Sequence, residues 1–399
     1  MNEEYLKQRE LQKDALSQKF LGMQEFPVEK NKITVAAFEG DGGFCCNPKY
    51  IVQELHRRDP KLKFVWLTKD VTRPFPEYIE VAEYNEDNIA YHLSTSQVWI
   101  DNYRKPYGTL KREGQLYIQT WHGVLGFKPI GLCRGDKFPE IARRVSKWDS
   151  DMIDRVVLNS DINEEQCSMK LLYEGEKLRT GFPKIDPIIN DRDNYQKRIR
   201  EILGLNQDIM LLLFAPTFRG GNQAGKKHVN SDIPTVDFDR LIECLEKKTG
   251  KKWNILLRLH PQLSARMDRM PLDRTDVRLI DVSQYPDINE LIAGTDILLT
   301  DYSSCGFDAA YGGVPVLLYA DDVADYIADR GSFMWERDEL PFMIAENNDE
   351  LLENVKRFDL ELYRKSVQQF MKRYGIKEDG HASERVADYI LKYINGIDS

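Results

Sequence analysis

The sequence has little cysteine, and the few cysteines form no pattern that holds a metal or a disulfide framework. Its 399 residues include six cysteines, of which Cys45 and Cys46 are adjacent and the others are scattered. Neither a C-x-x-C pair nor an H-E-x-x-H motif occurs, so the common zinc patterns are excluded. We therefore expect a protein of a reducing compartment with no structural metal.

Long apolar runs and an excess of basic residues are also missing. The longest apolar run, from Ile209 to Pro216, is far shorter than the roughly 18 residues that a membrane span needs. The first residues lack the basic start and apolar core of a signal peptide. The 56 lysines and arginines face 65 acidic residues, giving a net charge of −9, which argues against a general nucleic-acid binder. We expect a cytoplasmic chain without a membrane span and without a nucleic-acid partner.

Familiar catalytic motifs are absent as well. The sequence contains no G-x-S-x-G nucleophile elbow and no Walker A phosphate loop. Its histidines, at positions 56, 92, 122, 228, 260 and 381, show no metal-ligand spacing. No cofactor is required by these patterns. A divalent cation such as Mg²⁺, held near phosphates by the aspartates at 301, 308, 321 and 322, is left open.

What the sequence does contain is a regular alternation of short, branched apolar runs with longer helical patterns. The first series includes ITVAAF, KFVWLT, VWIDN and LYIQTW, and the second includes MLLLFAP, WNILLRL, DILLT and VPVLLYA. Strands buried on both faces with helices between them indicate a parallel, doubly wound sheet. Two such series predict an α/β protein with two Rossmann-like domains facing a central cleft. Ligands should bind at the carboxyl ends of the strands.

The change of pattern near residues 187–208 predicts the domain boundary. We expect an N-terminal helix at 1–31, a first domain at 32–195, a second domain at 196–372 and a C-terminal helix at 373–399 that packs back on the first domain. The charged N-terminal helix is interpreted as a solvated helix docked by one apolar stripe. A membrane-surface or partner helix is the alternative.

The segment QTWHG, which directly follows the strand LYIQT, is the first candidate site. His122 falls at the strand end, and Gly123 lets the backbone turn tightly and admit a ligand. Because an imidazole titrates near neutral pH, His122 is able to accept a proton from a substrate hydroxyl. The alternative is a packed, hydrogen-bonded histidine beside Trp121.

The segment TDYSS is the most informative candidate in the second domain. The strand ends at Thr300, and a helix is expected to start at Ser303 or Ser304. Two hydroxyls and the first free backbone N–H groups would then meet at a strand end and form a phosphate-binding site. The alternative is an ordinary helix cap.

Three other strand ends in the second domain carry polar side chains. In RLHP, Arg258 and His260 project from one face of an extended segment and would hold or protonate a phosphate oxygen, or else form a structural pair. In FAPTFRG, Thr217 and Arg219 are expected to face the same cleft, and together with Thr300 they are candidates for binding phosphate. After VPVLLYA, the pair Asp321 and Asp322 is a candidate for binding a substrate hydroxyl.

Together these segments resemble the CDP-glycerol glycerophosphotransferase family of bacterial teichoic-acid and capsule synthesis. The resemblance is carried by NPKYI, QTWHGVLGFKPIG, TGFPKID, APTFRG, RLHP and the long segment from DINELIAG to VADY, with HASERVADYI near the end. The matches run in the expected order from about residue 47 to about residue 390. The combination of WHG, R-x-H-P and TDYSS in that order is quite specific.

The resemblance implies a GT-B-type fold and transfer of a polyol phosphate from a CDP-alcohol to an acceptor hydroxyl, with release of CMP. In this family the histidine matching His122 acts as base on the acceptor, the one matching His260 lies by the donor pyrophosphate, and serines matching Ser303 and Ser304 bind phosphate. Lys128 keeps its expected place on the acceptor side, whereas Lys184 stands where the family more often has arginine. The implied partners are a CDP-alcohol and a lipid-linked or glycan polymer acceptor, reached by peripheral contact with the inner face of the cell membrane.

Two other functions are compatible with the sequence. One is a GT-B glycosyltransferase or epimerase that uses a UDP-sugar, because a fold does not fix its chemistry. The other is an inactive binding or scaffold subunit, which the joint presence of both histidines and the paired serines disfavours. The sequence leaves open glycerol against ribitol, priming against polymerisation, the acceptor, a metal requirement and the oligomeric state.

Overall fold

The chain divides into two compact units. The computed structural model describes residues 3–123, 126–217, 235–259, 277–330 and 334–396. Unit 1 comprises Met1–Val124, Ile130–Asp186 and Ile376–Ser399, and unit 2 comprises Leu125–Pro129 and Pro187–Gly375.

The first part of the chain alternates strands and helices. Its strands are β1 (Glu29–Ala36), β2 (Lys63–Thr68), β3 (Ile79–Glu83), β4 (Ser96–Asp101), β5 (Leu116–Gln119), β6 (Arg155–Leu158) and β7 (Lys177–Arg179). Its helices are α1 (Glu3–Gly22), α2 (Cys46–Arg58), α3 (Glu86–Thr95), α4 (Glu140–Ser150), α5 (Asp161–Glu165), α6 (Cys167–Leu171) and α7 (Asp186–Asn190). Short 3₁₀ turns occur at Phe38–Gly40, Gly131–Lys137 and Pro183–Ile185.

The second part repeats this alternation. Its strands are β8 (Met210–Phe214), β9 (Trp253–Leu257), β10 (Leu279–Asp281), β11 (Ile297–Thr300), β12 (Val316–Tyr319) and β13 (Met343–Ala345). Its helices are α8 (Arg192–Ile202), α9 (Phe238–Thr249), α10 (Ile288–Gly294), α11 (Cys305–Tyr311), α12 (Val323–Arg330), α13 (Asn348–Arg357) and α14 (Leu360–Arg373), with a 3₁₀ turn at Arg337–Glu339. The chain then returns to unit 1 as α15 (Ala382–Ile394).

Both units contain an all-parallel sheet with the same topology. In the described residues, unit 1 has seven strands in the order β3-β2-β1-β4-β5-β6-β7, and unit 2 has six in the order β10-β9-β8-β11-β12-β13. This is the doubly wound Rossmann order, in which the direction of winding reverses between the first and fourth strands. The prediction of two Rossmann-like α/β domains is confirmed. The reversal lies between β1 and β4 in unit 1 and between β8 and β11 in unit 2.

The strand register brings the ends of the central strands of unit 1 into one row. Ala36 of β1 pairs with Asp101 of β4, and Asp101 pairs with Gln119 of β5. Helices cover both faces of the sheet, so the side chains on both sides of these strands are buried. The strands are accordingly apolar almost throughout. The polar residues that follow the row therefore emerge together at the carboxyl edge.

The limits of the units differ from the sequence prediction in two places. The boundary lies between Asp186 and Pro187 instead of at residue 195, because α8 packs on α10 and its Arg200 donates to Asp296 at 2.8 Å. Residues 126–129 pack with unit 2, although they follow the QTWHG segment of unit 1.

Helix α15 packs on α2, and the side chain of Asp186 accepts from the first backbone N–H groups of α15. None of the helices in the described ranges is long and apolar enough to cross a membrane.

Candidate active site

His122 lies at the winding reversal of the unit 1 sheet. Its ring is 5.1 Å from the ring of Phe38, which follows β1, and 5.6 Å from that of Tyr103, which follows β4. It also stacks on Trp121 at 4.9 Å. The loops after three neighbouring strands therefore surround one half-buried imidazole, at the place where doubly wound sheets bind their ligands.

One hydrogen bond fixes the proton position on the neutral imidazole of His122. Nδ1 lies 2.8 Å from the backbone oxygen of Asn102. A carbonyl oxygen only accepts, so Nδ1 carries the hydrogen and Nε2 of the neutral ring carries the lone pair. The ring is thus arranged to accept a proton at Nε2.

The surroundings of His122 keep it neutral. Burial lowers its pKa from 6.5 to about 4. The bond to the Asn102 carbonyl opposes this shift, and the positive charges of Lys184 and Arg104 add to it. At neutral pH the imidazole is therefore unprotonated at Nε2.

A buried lysine holds the backbone of the same loop. Lys184 is 3% exposed, and its Nζ donates to the backbone oxygen of His122 at 2.8 Å. Its ammonium group supports the loop that carries His122.

The loops around His122 contain an unusual amount of left-handed backbone. Four non-glycine residues between β1 and the start of α2 or after β5 have φ between 50° and 60°, namely Phe38, Glu39, Cys46 and Trp121. Such conformations cost free energy and persist where the surrounding structure holds them, often at functional sites.

A buried polar network behind this loop was missed by the sequence analysis. Asp101 and Lys105 form an ion pair of 2.7 Å and are 1% and 2% exposed. Asp149 accepts from the hydroxyl of Tyr117 at 3.0 Å and from the backbone N–H of Lys105 at 2.9 Å. Burial raises the pKa of Asp149 to about 7. Asp149 lies in a charged helical stretch that resembles a solvated helix, so no sequence pattern marked it as buried.

Asp301 joins the two loops at the winding reversal of unit 2. The backbone N–H of Thr217, after β8, lies 2.9 Å from both carboxylate oxygens of Asp301, and the Thr217 hydroxyl donates to the same carboxylate at 2.6 Å. The Thr300 hydroxyl donates to the backbone oxygen of Ala215 at 2.7 Å. These bonds join the loops that follow β8 and β11.

Ser303 and Ser304 precede α11, which begins at Cys305. Ser304 occupies the N-cap position without a capping bond from its side chain, and the Oγ of Ser303 accepts only a long bond, 3.5 Å, from the Cys305 N–H. Both serines are half-buried. Burial raises the pKa of the Cys305 thiol to about 11, so this cysteine is not a thiolate nucleophile.

Three predicted phosphate-binding residues serve the protein's own structure. Thr300 is fully buried, so the predicted contact with donor phosphate does not fit. Thr217 donates its single hydroxyl proton to Asp301. Nη1 of Arg258 donates to the backbone oxygens of Val282, Ser283 and Tyr285. For Thr217 and Arg258, a phosphate contact would require other atoms of the side chain.

The predicted substrate-binding aspartates also have partners within unit 2. Asp321 accepts from the N–H and the hydroxyl of Thr235 at 3.1 and 2.8 Å. Asp322 accepts from the hydroxyl of Tyr302 at 3.0 Å.

Lys128 belongs to unit 2, which the sequence analysis did not expect. Phe127 is buried against Phe307 of α11, with ring centroids 5.0 Å apart, and its backbone oxygen accepts from Met334. The Nζ of Lys128 lies 5.5 Å from the ring centroid of Tyr326. Tyr326 in turn stacks at 4.0 Å on Tyr302, which immediately precedes Ser303.

Two predicted residues cannot be placed. Arg219 and His260 lie outside the described residues. Gly123 follows His122 and is half-buried. Within the ranges that the structure describes, no group of three or more histidine, cysteine, aspartate or glutamate side chains is arranged to hold a metal ion.

Comparison with protein families identifies the chain's relatives. The sequence profile of the CDP-glycerol:poly(glycerophosphate) glycerophosphotransferase family matches residues 19–392. The chain belongs to this family. The resemblance seen in the motifs is thereby confirmed.

Individual members of the glycerophosphotransferase family align along nearly the whole chain. The teichoic acid poly(glycerol phosphate) polymerase of Staphylococcus epidermidis is 29% identical over 90% of this chain and 50% of its own length. The teichoic acid poly(ribitol-phosphate) polymerase of Bacillus spizizenii is 28% identical over 92% and 57%. The teichoic acid glycerol-phosphate transferase of Staphylococcus aureus is 27% identical over 91% and 93%. The chain thus spans about half the length of the two polymerases.

Solved structures show the same architecture. A histidine-to-alanine variant of the wall teichoic acid polymerase TagF has a TM-score of 0.78 and 26% identity, with 92% of this chain and 90% of that chain covered. The UDP co-structure of S. aureus MnaA matches with a TM-score of 0.51 at 16% identity, covering 93% and 98%. This chain therefore has the GT-B-type fold predicted from the sequence.

Proposed function

We propose that this chain transfers a polyol phosphate, either glycerol phosphate or ribitol phosphate, from a CDP-alcohol to an acceptor hydroxyl and releases CMP. Family membership supports the reaction class. The names of the relatives support a teichoic-acid polymer as the acceptor. The observation that carries the proposal is the neutral His122, whose Nδ1 is held by a carbonyl while Nε2 bears a lone pair.

His122 acts as the general base in this proposal. The acceptor hydroxyl oxygen attacks the phosphorus of the polyol phosphate, the bond from that phosphorus to the CMP oxygen breaks, and the hydroxyl proton passes to Nε2. CMP leaves with the electron pair of the broken bond. A pKa of about 4 makes His122 a weak base in the free protein. The negative charge of a bound diphosphate favours the imidazolium and raises that pKa toward the working range.

Ser303 and Ser304 contact the donor phosphates in this proposal. Both are half-buried, and the Ser304 hydroxyl makes no capping bond to its helix. Lys128 is reassigned from the acceptor to the donor, because its Nζ lies over the Tyr326 ring, and Tyr326 stacks on Tyr302, which immediately precedes these serines. A positive side chain near the serine hydroxyls suits a diphosphate whose leaving oxygen gains charge. His260 and Arg219 remain proposed donor contacts on the basis of the sequence motifs alone.

A nucleotide-release assay tests the proposed reaction. The chain is incubated with CDP-glycerol, CDP-ribitol or UDP-N-acetylglucosamine, each with and without a teichoic-acid oligomer. We expect acceptor-dependent CMP release from one or both CDP-alcohols, together with a product whose mass has increased by the polyol phosphate. Release of UDP without any CMP would instead support the UDP-sugar chemistry of other proteins with this fold.

We further propose that the chain works in the cytoplasm and meets the membrane through its acceptor. The sequence suggests the basic residues of α4, Arg143, Arg144 and Lys147, as a contact with an anionic membrane, but the structure gives little support for such electrostatic attachment. Arg144 pairs with Glu10 and Glu140, and Lys147 pairs with Asp151. Paired charges attract an anionic surface less than free ones do.

A further inference from the structure

We propose that Gln119 and Asn47 are positioning residues, which hold the backbone of Trp121 so that Nε2 of His122 is presented to the acceptor hydroxyl. The proposal rests on the proposed function, since it assigns these two buried amides to the same base. It is carried by the hydrogen bonds on either side of a strained residue.

Trp121 is held at both ends of its backbone. Its φ of 50° places a bulky aromatic residue in the left-handed region, which is costly without support. Its N–H donates to Oε1 of Gln119 at 2.9 Å, and its carbonyl oxygen accepts from Nδ2 of Asn47 at 3.0 Å. Two side chains from different elements therefore fix the peptide groups immediately before His122.

Gln119 also holds the backbone of Tyr103, whose ring stacks on His122. Its Nε2 donates to the backbone oxygen of Tyr103 and to the hydroxyl of Tyr117, both at 2.8 Å. The side chain is 1% exposed, so both N–H donors are satisfied within the protein. A single amide thus joins the loop after β4, which carries Tyr103, to the loop after β5, which carries His122.

Asn47, near the start of α2, also holds the backbone of this loop. It is fully buried, and its Oδ1 accepts from the backbone N–H of Lys184 at 3.1 Å. The ammonium group of Lys184 donates to the backbone oxygen of His122 at 2.8 Å. Asn47 therefore contacts the loop directly at Trp121 and indirectly through Lys184.

Both positions require an amide, because each side chain donates and accepts at once. Asn47→Asp retains an oxygen for the Lys184 N–H but loses the donor to Trp121. Gln119→Glu retains an oxygen for the Trp121 N–H but loses both donors. The matched control is Asn163→Asp, since Asn163 is also a fully buried amide of unit 1 and donates to Asn159 at 3.0 Å.

The test combines steady-state kinetics with nitrogen NMR of the His122 side chain. We expect Asn47→Asp and Gln119→Glu to lower kcat by on the order of 10- to 100-fold, because small misplacements of a catalytic group cost that much, with the KM for the CDP-alcohol unchanged. The His122 resonances should change from the single Nδ1–H tautomer to a mixture of tautomers. Asn163→Asp should retain the wild-type kcat and tautomer.

Two results would overturn the positioning role. One is a wild-type kcat and tautomer in either folded variant, and the other is an equal loss of kcat in Asn163→Asp. If one variant fails to fold, the other carries the test. An inactive wild-type chain would refute the proposed function alone, since the tautomer measurement needs no turnover and would still decide whether the amides position His122.

Discussion

At the scale of single residues, the chemistry of unit 1 depends on which polar groups are buried and what they contact. The hydrogen bond to the Asn102 carbonyl sets the tautomer of His122, and burial lowers its pKa. The sequence identified His122 as a proton acceptor from its place after a strand. It could not supply the tautomer, because the partner is a backbone oxygen twenty residues away in sequence.

Asp149 gives a prediction about stability at this scale. From its ordinary pKa of 3.8 up to about 7, the folded state keeps a proton that the unfolded state has lost. Asp149 therefore makes folding less favourable as pH rises through that window. Asp149→Asn removes the charge, and its Oδ1 retains both hydrogen bonds, which reach a single oxygen of the native side chain.

We expect Asp149→Asn to raise the free energy of unfolding, by an amount that grows by about 1–3 kcal/mol between pH 5 and pH 8. Denaturant titrations of both proteins at the two pH values measure this difference. An equal effect at both pH values would mean that Asp149 is already ionised in the folded protein.

At the scale of elements, strand ends were predictable and the partners of their side chains were not. The apolar runs predicted the central strands, and the sheet order then explains why the loops after β1, β4 and β5 meet at His122. Thr300, the last residue of its strand, was predicted to contact phosphate, but its side chain is buried and its hydroxyl donates to the backbone oxygen of Ala215. A strand that is buried on both faces is apolar at nearly every position. Its sequence therefore does not show whether the side chain at its end faces a ligand or the protein interior.

The sequence also did not indicate where the segment after His122 packs. Residues 126–129 leave unit 1 and pack with unit 2, where the Trp335 indole donates to the backbone oxygen of Gly126 at 3.0 Å. Such contacts join residues more than two hundred positions apart, and no local pattern encodes them. As a consequence, Lys128 was assigned to the wrong domain.

The loop before α11 gives a prediction for donor binding. Replacing Ser303 and Ser304 together with alanine should raise the KM for the CDP-alcohol and lower the free energy of unfolding by less than about 1 kcal/mol, since no strong cap is lost. Thr300→Val is the matched control. It removes a neighbouring buried hydroxyl and should lower stability without changing that KM. Unchanged donor KM in the folded double variant would remove the serines from the donor site.

At the scale of the whole molecule, two units with the same central strand order carry different candidate chemistry at the carboxyl edges of their sheets. His122 follows β5, the neighbour of β4 at the unit 1 reversal, and the serines follow β11 at the unit 2 reversal. Shared topology explains why both were found by searching strand ends. Related sheets carry unrelated residues at these edges, so the functions had to be inferred from side chains.

The net charge of −9 and the paired basic residues of α4 predict how the whole chain meets a membrane. In flotation assays, vesicles containing phosphatidylglycerol alone should retain little protein at about 0.15 M salt, where charges are screened within about 8 Å. Vesicles carrying a lipid-linked teichoic-acid acceptor should retain more. Strong, salt-sensitive binding without acceptor would favour direct electrostatic attachment instead.

The most direct test of the central claim is the turnover of His122→Ala with a CDP-alcohol and a teichoic-acid acceptor, measured as CMP release beside donor affinity. Loss of the base should lower kcat by roughly 10²–10⁴-fold, with donor affinity nearly unchanged. His381→Ala, which alters an exposed histidine paired with Glu384, should match the wild type. Near-normal turnover in a folded His122→Ala protein would contradict the account and leave His122 as a structural histidine beside Trp121.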